Sequence, residues 1–164
     1  MIETFSRKLN IGLTLVEVLI AASIVLVFVV ALTGVHSLYL RTALKSGNVI
    51  KATYLAEEGI EAVRFLRNTS WDTNIATLIL DTNYGMVFNG TTWQASTTNT
   101  TIDGMFVRTV VFSAVYRDSS QDIVISGGTL DPNTLKVTST VSWDSPGASS
   151  NKVISTYLTN IFDS

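Results

Sequence analysis

This chain of 164 residues contains no cysteine, only two prolines, a single histidine and few charges, 15% of its residues. Without cysteine there is no disulfide framework and no thiolate for metal binding or nucleophilic attack, so any folded part must hold itself together by packing. His36 stands between Val35 and Ser37 with no second histidine to join it, which suits an interfacial residue better than a catalyst. No paired carboxylates, nucleophile with base, or metal-ligand cluster can be placed together, so an enzyme is the weakest of the readings, and neither a cofactor nor a metal is expected. The formal net charge of −2 exerts no general pull toward nucleic acid. Both prolines, Pro132 and Pro146, lie late, so nothing in the first 131 residues forbids a long helix.

What is present at the front is an uncharged apolar run, Val18 to Val35, with one acid, Glu17, at its mouth. At ~1.5 Å per residue such a run is about long enough to cross the hydrocarbon of a bilayer. An ionised acid inside a span costs roughly 2.5 to 3.5 kcal/mol at the centre and less near the end, which calls for a partner. Ahead of the run is a short leader, Met1 to Gly12, carrying Arg7 and Lys8. A secretory signal peptide has its small-residue cleavage site after the apolar region; here Gly12 stands before it. A cut between Gly12 and Leu13 retains the helix and creates an α-amine four residues ahead of Glu17, cationic below ~8 and a natural mate for the acid. The alternative is an uncleaved signal anchor in which Glu17 is a first-turn acid favoured by the helix dipole. Arg7 and Lys8 are balanced by Arg41 and Lys45 beyond the run, so positive charge alone does not orient the span.

The string Gly12-Leu13-Thr14-Leu15-Val16-Glu17, behind a basic leader and before a long apolar helix, resembles the prepilin-type cleavage and methylation motif of type IV pilins and pseudopilins. The resemblance implies a membrane peptidase that cuts after Gly12, methylation of the new amine on Leu13, and a role for Glu17 in setting the register of an incoming subunit. It also implies as partners the prepilin peptidase, other pilin or pseudopilin subunits, the inner-membrane assembly platform and membrane lipid. The protein would begin as a single-pass inner-membrane protein with an extracytoplasmic head and end in a pilus or pseudopilus filament. Leu13 departs from the Phe or Met common at that position. The strings Ala52 to Glu61 and Val141-Ser142-Trp143, with Val153 and Tyr157-Leu158, resemble minor pilins and minor pseudopilins. Pilus and secretion pseudopilus are not distinguished.

These features predict an α+β fold in three parts: a leader over 1–12, a transmembrane and assembly helix over 13–40, and a soluble head over 41–164. The helix is expected to continue to about residue 67, with Val49, Thr53, Ala56, Ile60 and Val63 on its head-facing side and its end at Asn68-Thr69-Ser70. Gly34, beside β-branched Thr33, is a weak point where the helix could melt on assembly, or an ordinary membrane-helix glycine. After Trp71 the period becomes alternating, predicting an antiparallel sheet. Tyr84–Phe88 and Thr91–Ala95 should form a hairpin with a two-residue Asn89-Gly90 turn. Phe106–Tyr116, Leu135–Trp143 and Asn151–Phe162 read as strands, with a short one in Asp122–Ser126. Asp131-Pro132-Asn133 and Ser145-Pro146-Gly147 read as turns, and Trp71, Trp93 and Trp143 as core anchors. Asp118, Asp122 and Asp131 lack the spacing of a calcium loop.

Overall fold

A computed structural model describes residues 12, 14–145 and 148–161. The chain divides into two units at Leu44 and Lys45. Helix α1, Leu15–Thr69, runs through both, and in the first unit it is the one element among the described residues. Every side chain from Thr14 to Leu44 is exposed. The hydroxyls of this stretch turn back on their own helix: Ser23 Oγ donates to Leu19 O, Thr33 Oγ1 to Val30 O (2.8 Å), Ser37 Oγ to Thr33 O (3.0 Å) and Thr42 Oγ1 to Leu38 O (3.0 Å). Polar groups satisfied within the segment are what an apolar environment demands.

In the second unit α1 buries Ala52, Ala56, Gly59, Ile60, Ala62, Val63 and Leu66. Small residues dominate the start of that face, which lets the sheet approach the backbone closely. Val49, expected on the same face, is exposed, because the packed stretch begins only at Ala52. The helix ends where expected: Asn74 Nδ2 and the Ser70 amide both donate to Leu66 O, and Ser70 Oγ then accepts from Thr73 N to start α2, Trp71–Asn74.

A small hairpin of β1, Gly85–Phe88, and β2, Trp93–Ser96, precedes a five-stranded sheet. The sheet contains β3, Thr101–Ile102; β4, Phe106–Arg117; β5, Ile123–Val124; β6, Thr129–Ser145; and β7, Ala148–Thr159, in the order β3-β4-β6-β7 with β5 also on β4. All pairings are antiparallel. The expected alternation holds on β6, where Leu135, Val137, Ser139, Val141 and Trp143 are buried and Lys136 is exposed. Trp71 and Trp143 are core residues; Trp93 is half-buried against the core edge.

Two turns differ from expectation. Asn89 N donates to Thr92 O, so the hairpin bend lies one residue later, on Gly90-Thr91, with Gly90 at φ 95°. The Asn89 carboxamide shifts it by accepting the amides of Thr91 and Thr92. Asp131-Pro132-Asn133 does not reverse the chain but forms a bulge inside β6: Ala114 pairs Leu135, and the next residue, Val115, pairs Asp131. Pro132 donates no amide, and Asp131 Oδ1 takes the Asn133 amide, so the surplus residues loop out while β4 pairs on both sides. Pro146, Gly147 and Phe162 fall outside the described residues.

Candidate functional site

Of the expected functional residues, Gly12 and Glu17 stand at the start of α1. Gly12 is exposed and precedes the helix, whereas Leu13, the expected methylation position, lies outside the described residues along with 1–11. Thr14 caps the helix: its carbonyl accepts from Val18 N at 3.2 Å and its hydroxyl from Glu17 N at 3.3 Å. Thr14-Leu15-Val16-Glu17 is thus the first half of a capping box, with Glu17 at its third helical position. The carboxylate also sits at the positive end of the macrodipole. Among the described residues none supplies a cation to it, and it is the only charged side chain between Thr14 and Leu40. The S/T-x-x-E spacing was present in the sequence and is the signal that identifies Thr14.

Around this acid the helix is apolar and uncovered, with Leu15 78%, Phe28 67% and Leu44 72% exposed. It is long and apolar enough to cross a membrane. At ~25 cal/mol per Å², side chains of this type each favour an apolar environment by roughly 1.5 to 3 kcal/mol, so the face as a whole calls for lipid or other helices. Thr33 and Gly34 lie within the unbroken helix, about 25 Å from Glu17 at ~1.5 Å per residue, so the structure does not bring them together. A Cβ on Gly34 would meet nothing within 4 Å, so no packing inside this chain requires glycine there.

The head holds a buried arginine that the alternation of β4 could have revealed, since Phe106, Arg108, Val110 and Phe112 share the inward face. Arg108 is 5% exposed. Its guanidinium donates to Glu58 Oε2 at 2.8 Å, Leu55 O at 3.1 Å and Met86 O at 3.1 Å, and stacks 5.4 Å from the Trp93 ring centroid. It therefore ties α1, β1 and β2 to the sheet. Arg108 Nε and the neighbouring Ser139 Oγ are buried without a partner.

A polar cleft of about 480 Å³ lies beside the β6 bulge, lined by Arg117, Asp118, Gln121 and Asp131 among others. Arg117 Nε donates to Asp131 Oδ2 at 2.6 Å. Burial pushes the Asp131 carboxyl up, but donors from Arg117, Thr134 and the Asn133 amide, with the Arg117 charge, outweigh it and hold the group below its ordinary 3.8. Asp118 Oδ1 accepts the amides of Ser120 and Asp122, and among the described residues no three acidic or histidine side chains gather as a metal site. Comparison with protein-family models, curated proteins and solved structures finds no match to this chain.

Proposed function

We propose that the chain is a structural subunit, of the minor kind, of a type IV pilus or type II secretion pseudopilus. In this reading a prepilin peptidase cuts after Gly12, Leu13 becomes the methylated first residue, and the apolar part of α1 anchors the subunit in the inner membrane before packing among other subunits. One observation supports it: the part of α1 up to Leu44, apolar and exposed throughout, bears a single acid, five residues after a glycine that stands before the apolar run rather than after it. The α-amine made by the cut would supply the missing cation, in the same or a neighbouring copy, at the cost of no further residue. The head, fastened to α1 through Arg108, would travel with the helix into the filament.

A second reading, an uncleaved single-pass anchor for a binding or adhesion domain, is favoured by the Thr14 cap, which gives Glu17 a local reason to exist. Co-expression with a prepilin peptidase separates the two. A product shortened by the leader supports the subunit, and a Gly12→Val variant should stay full length. In the same system Glu17→Gln should still be cut yet enter filaments poorly; normal incorporation would remove the register role.

A further inference from the structure

The two edges of the head sheet are treated differently. On β4, Val110 exchanges both backbone bonds with Tyr84, Phe112 O accepts from Asp81 N, and β3 and β5 pair with the strand ends. On the other side, among the described residues, β7 runs twelve residues as an edge with no proline and no bulge. Natural sheets blunt such edges with short strands, prolines, bulges or charges, and β7 carries only Lys152.

The direction of its free groups follows from one bond. Asn160 N donates to Asn133 O on β6, so by strand alternation the even residues of β7 face β6, and Asn151, Val153, Ser155, Tyr157 and Thr159 turn their amides and carbonyls outward. These same five side chains are exposed, Val153 at 49% and Tyr157 at 51%. Their pattern is symmetric about Ser155. In an antiparallel pair centred there, Val153 faces Tyr157, Asn151 faces Thr159 and Ser155 faces itself, while Lys152 faces Leu158 and never another Lys152. Cross-strand pairs of an aromatic with a β-branched residue are favourable, and no like charges oppose each other.

We propose that β7 is a self-docking edge: a second copy of this chain adds its own β7 antiparallel, in the register that places Ser155 opposite Ser155, and joins two sheets into one. The copies run in opposite directions, so the contact suits chains of separate assemblies rather than neighbours in one filament. It does not rest on the filament reading.

The lack of native cysteine makes the register directly testable. Paired Cα atoms at a hydrogen-bonded antiparallel site lie about 5.5 Å apart, within disulfide reach, whereas Val153 of each copy is displaced by four residues, roughly 13 Å, from its own mate. With the full-length chain in detergent micelles, mild oxidation should crosslink Ser155→Cys into a dimer and leave Val153→Cys monomeric. Sedimentation of the cysteine-free chain should show a concentration-dependent dimer. Ser155→Pro, which removes an outward amide together with the 3.0 Å hydrogen bond between Ser155 Oγ and Thr138 Oγ1 of β6, should abolish that dimer with unchanged circular dichroism, whereas Ser155→Ala, which loses only that hydrogen bond, should keep it; Val153→Lys should weaken the dimer about tenfold. A chain that stays monomeric, equal crosslinking at 153 and 155, or a dimer untouched by Ser155→Pro would each overturn the proposal.

Discussion

Gly59→Ala probes the closest approach of helix to sheet. A Cβ at Gly59 would stand 2.6 Å from Ser139 Oγ, 3.0 Å from Arg108 Cδ and 3.5 Å from Ser139 Cβ. Helix propensity alone favours alanine by about 1 kcal/mol. Overpacking of this kind costs ~1 to 3 kcal/mol, toward the low end where a hydroxyl can rotate away, so the net expectation is a loss of about 0 to 2 kcal/mol. Ser139→Ala removes the closest atom together with a buried hydroxyl that has no partner, and should by itself be neutral or mildly stabilising. In that background only Arg108 Cδ remains tight, and Gly59→Ala should then stabilise. The double-mutant cycle should give a favourable coupling of ~1 to 2 kcal/mol. Urea unfolding of the full chain in micelles measures it, with the buried Trp71 and Trp143 reporting on the head. If Gly59→Ala alone raises stability by the full propensity gain, the helix and sheet are not in the contact described.

Arg108→Ala strips three donors from their acceptors and should cost about 2 to 4 kcal/mol in the same assay. Arg108→Met, which keeps volume and removes the buried charge, should fall within ~1 kcal/mol of the parent. Asp131 sets part of the acid limit of the head. Its folded pKa is depressed, so its contribution is complete above the ordinary carboxyl value near 4 and disappears as pH falls through the lower folded value. Unfolding midpoints measured downward from pH 5 should therefore decline more steeply for the parent than for Asp131→Asn, and parallel curves would deny the shift. Thr14→Ala should speed hydrogen exchange at the Glu17 amide by up to about fivefold, the loss of roughly 1 kcal/mol of capping. Unchanged exchange would mean that the hydroxyl does not hold that end.

Much of the fold was legible where one period dominated. Without proline before residue 132, and with apolar side chains continuous and then one-sided, the long helix followed from sequence, while β-rich composition over Phe106–Tyr116 and strict alternation over Leu135–Trp143 pointed to the two central strands. Local turn chemistry was a weaker guide. Asn89 moved its hairpin bend by taking amides on its side chain, and Asp131-Pro132-Asn133, turn-forming by composition, was absorbed as a bulge because β4 continues to pair with β6 on both sides of it. Arg108 was passed over because charge ordinarily marks a solvated position, although its spacing of two from Phe106 and Val110 places it on their inward face. At the front of the chain Glu17 was evident, whereas its capping partner Thr14 required reading the four-residue spacing from the helix start. What covers the apolar face is not written in a helix whose described side chains over residues 14–44 are all exposed.

The central claim is that proteolysis after Gly12 furnishes the cation for Glu17. Its most direct test is intact-mass and N-terminal peptide mass spectrometry of the protein from cells that possess a prepilin peptidase. The expected species starts at Leu13 and carries one added methyl group on its amine. Recovery only of chains that still bear Met1 to Gly12 would contradict the account and leave the uncleaved anchor in its place.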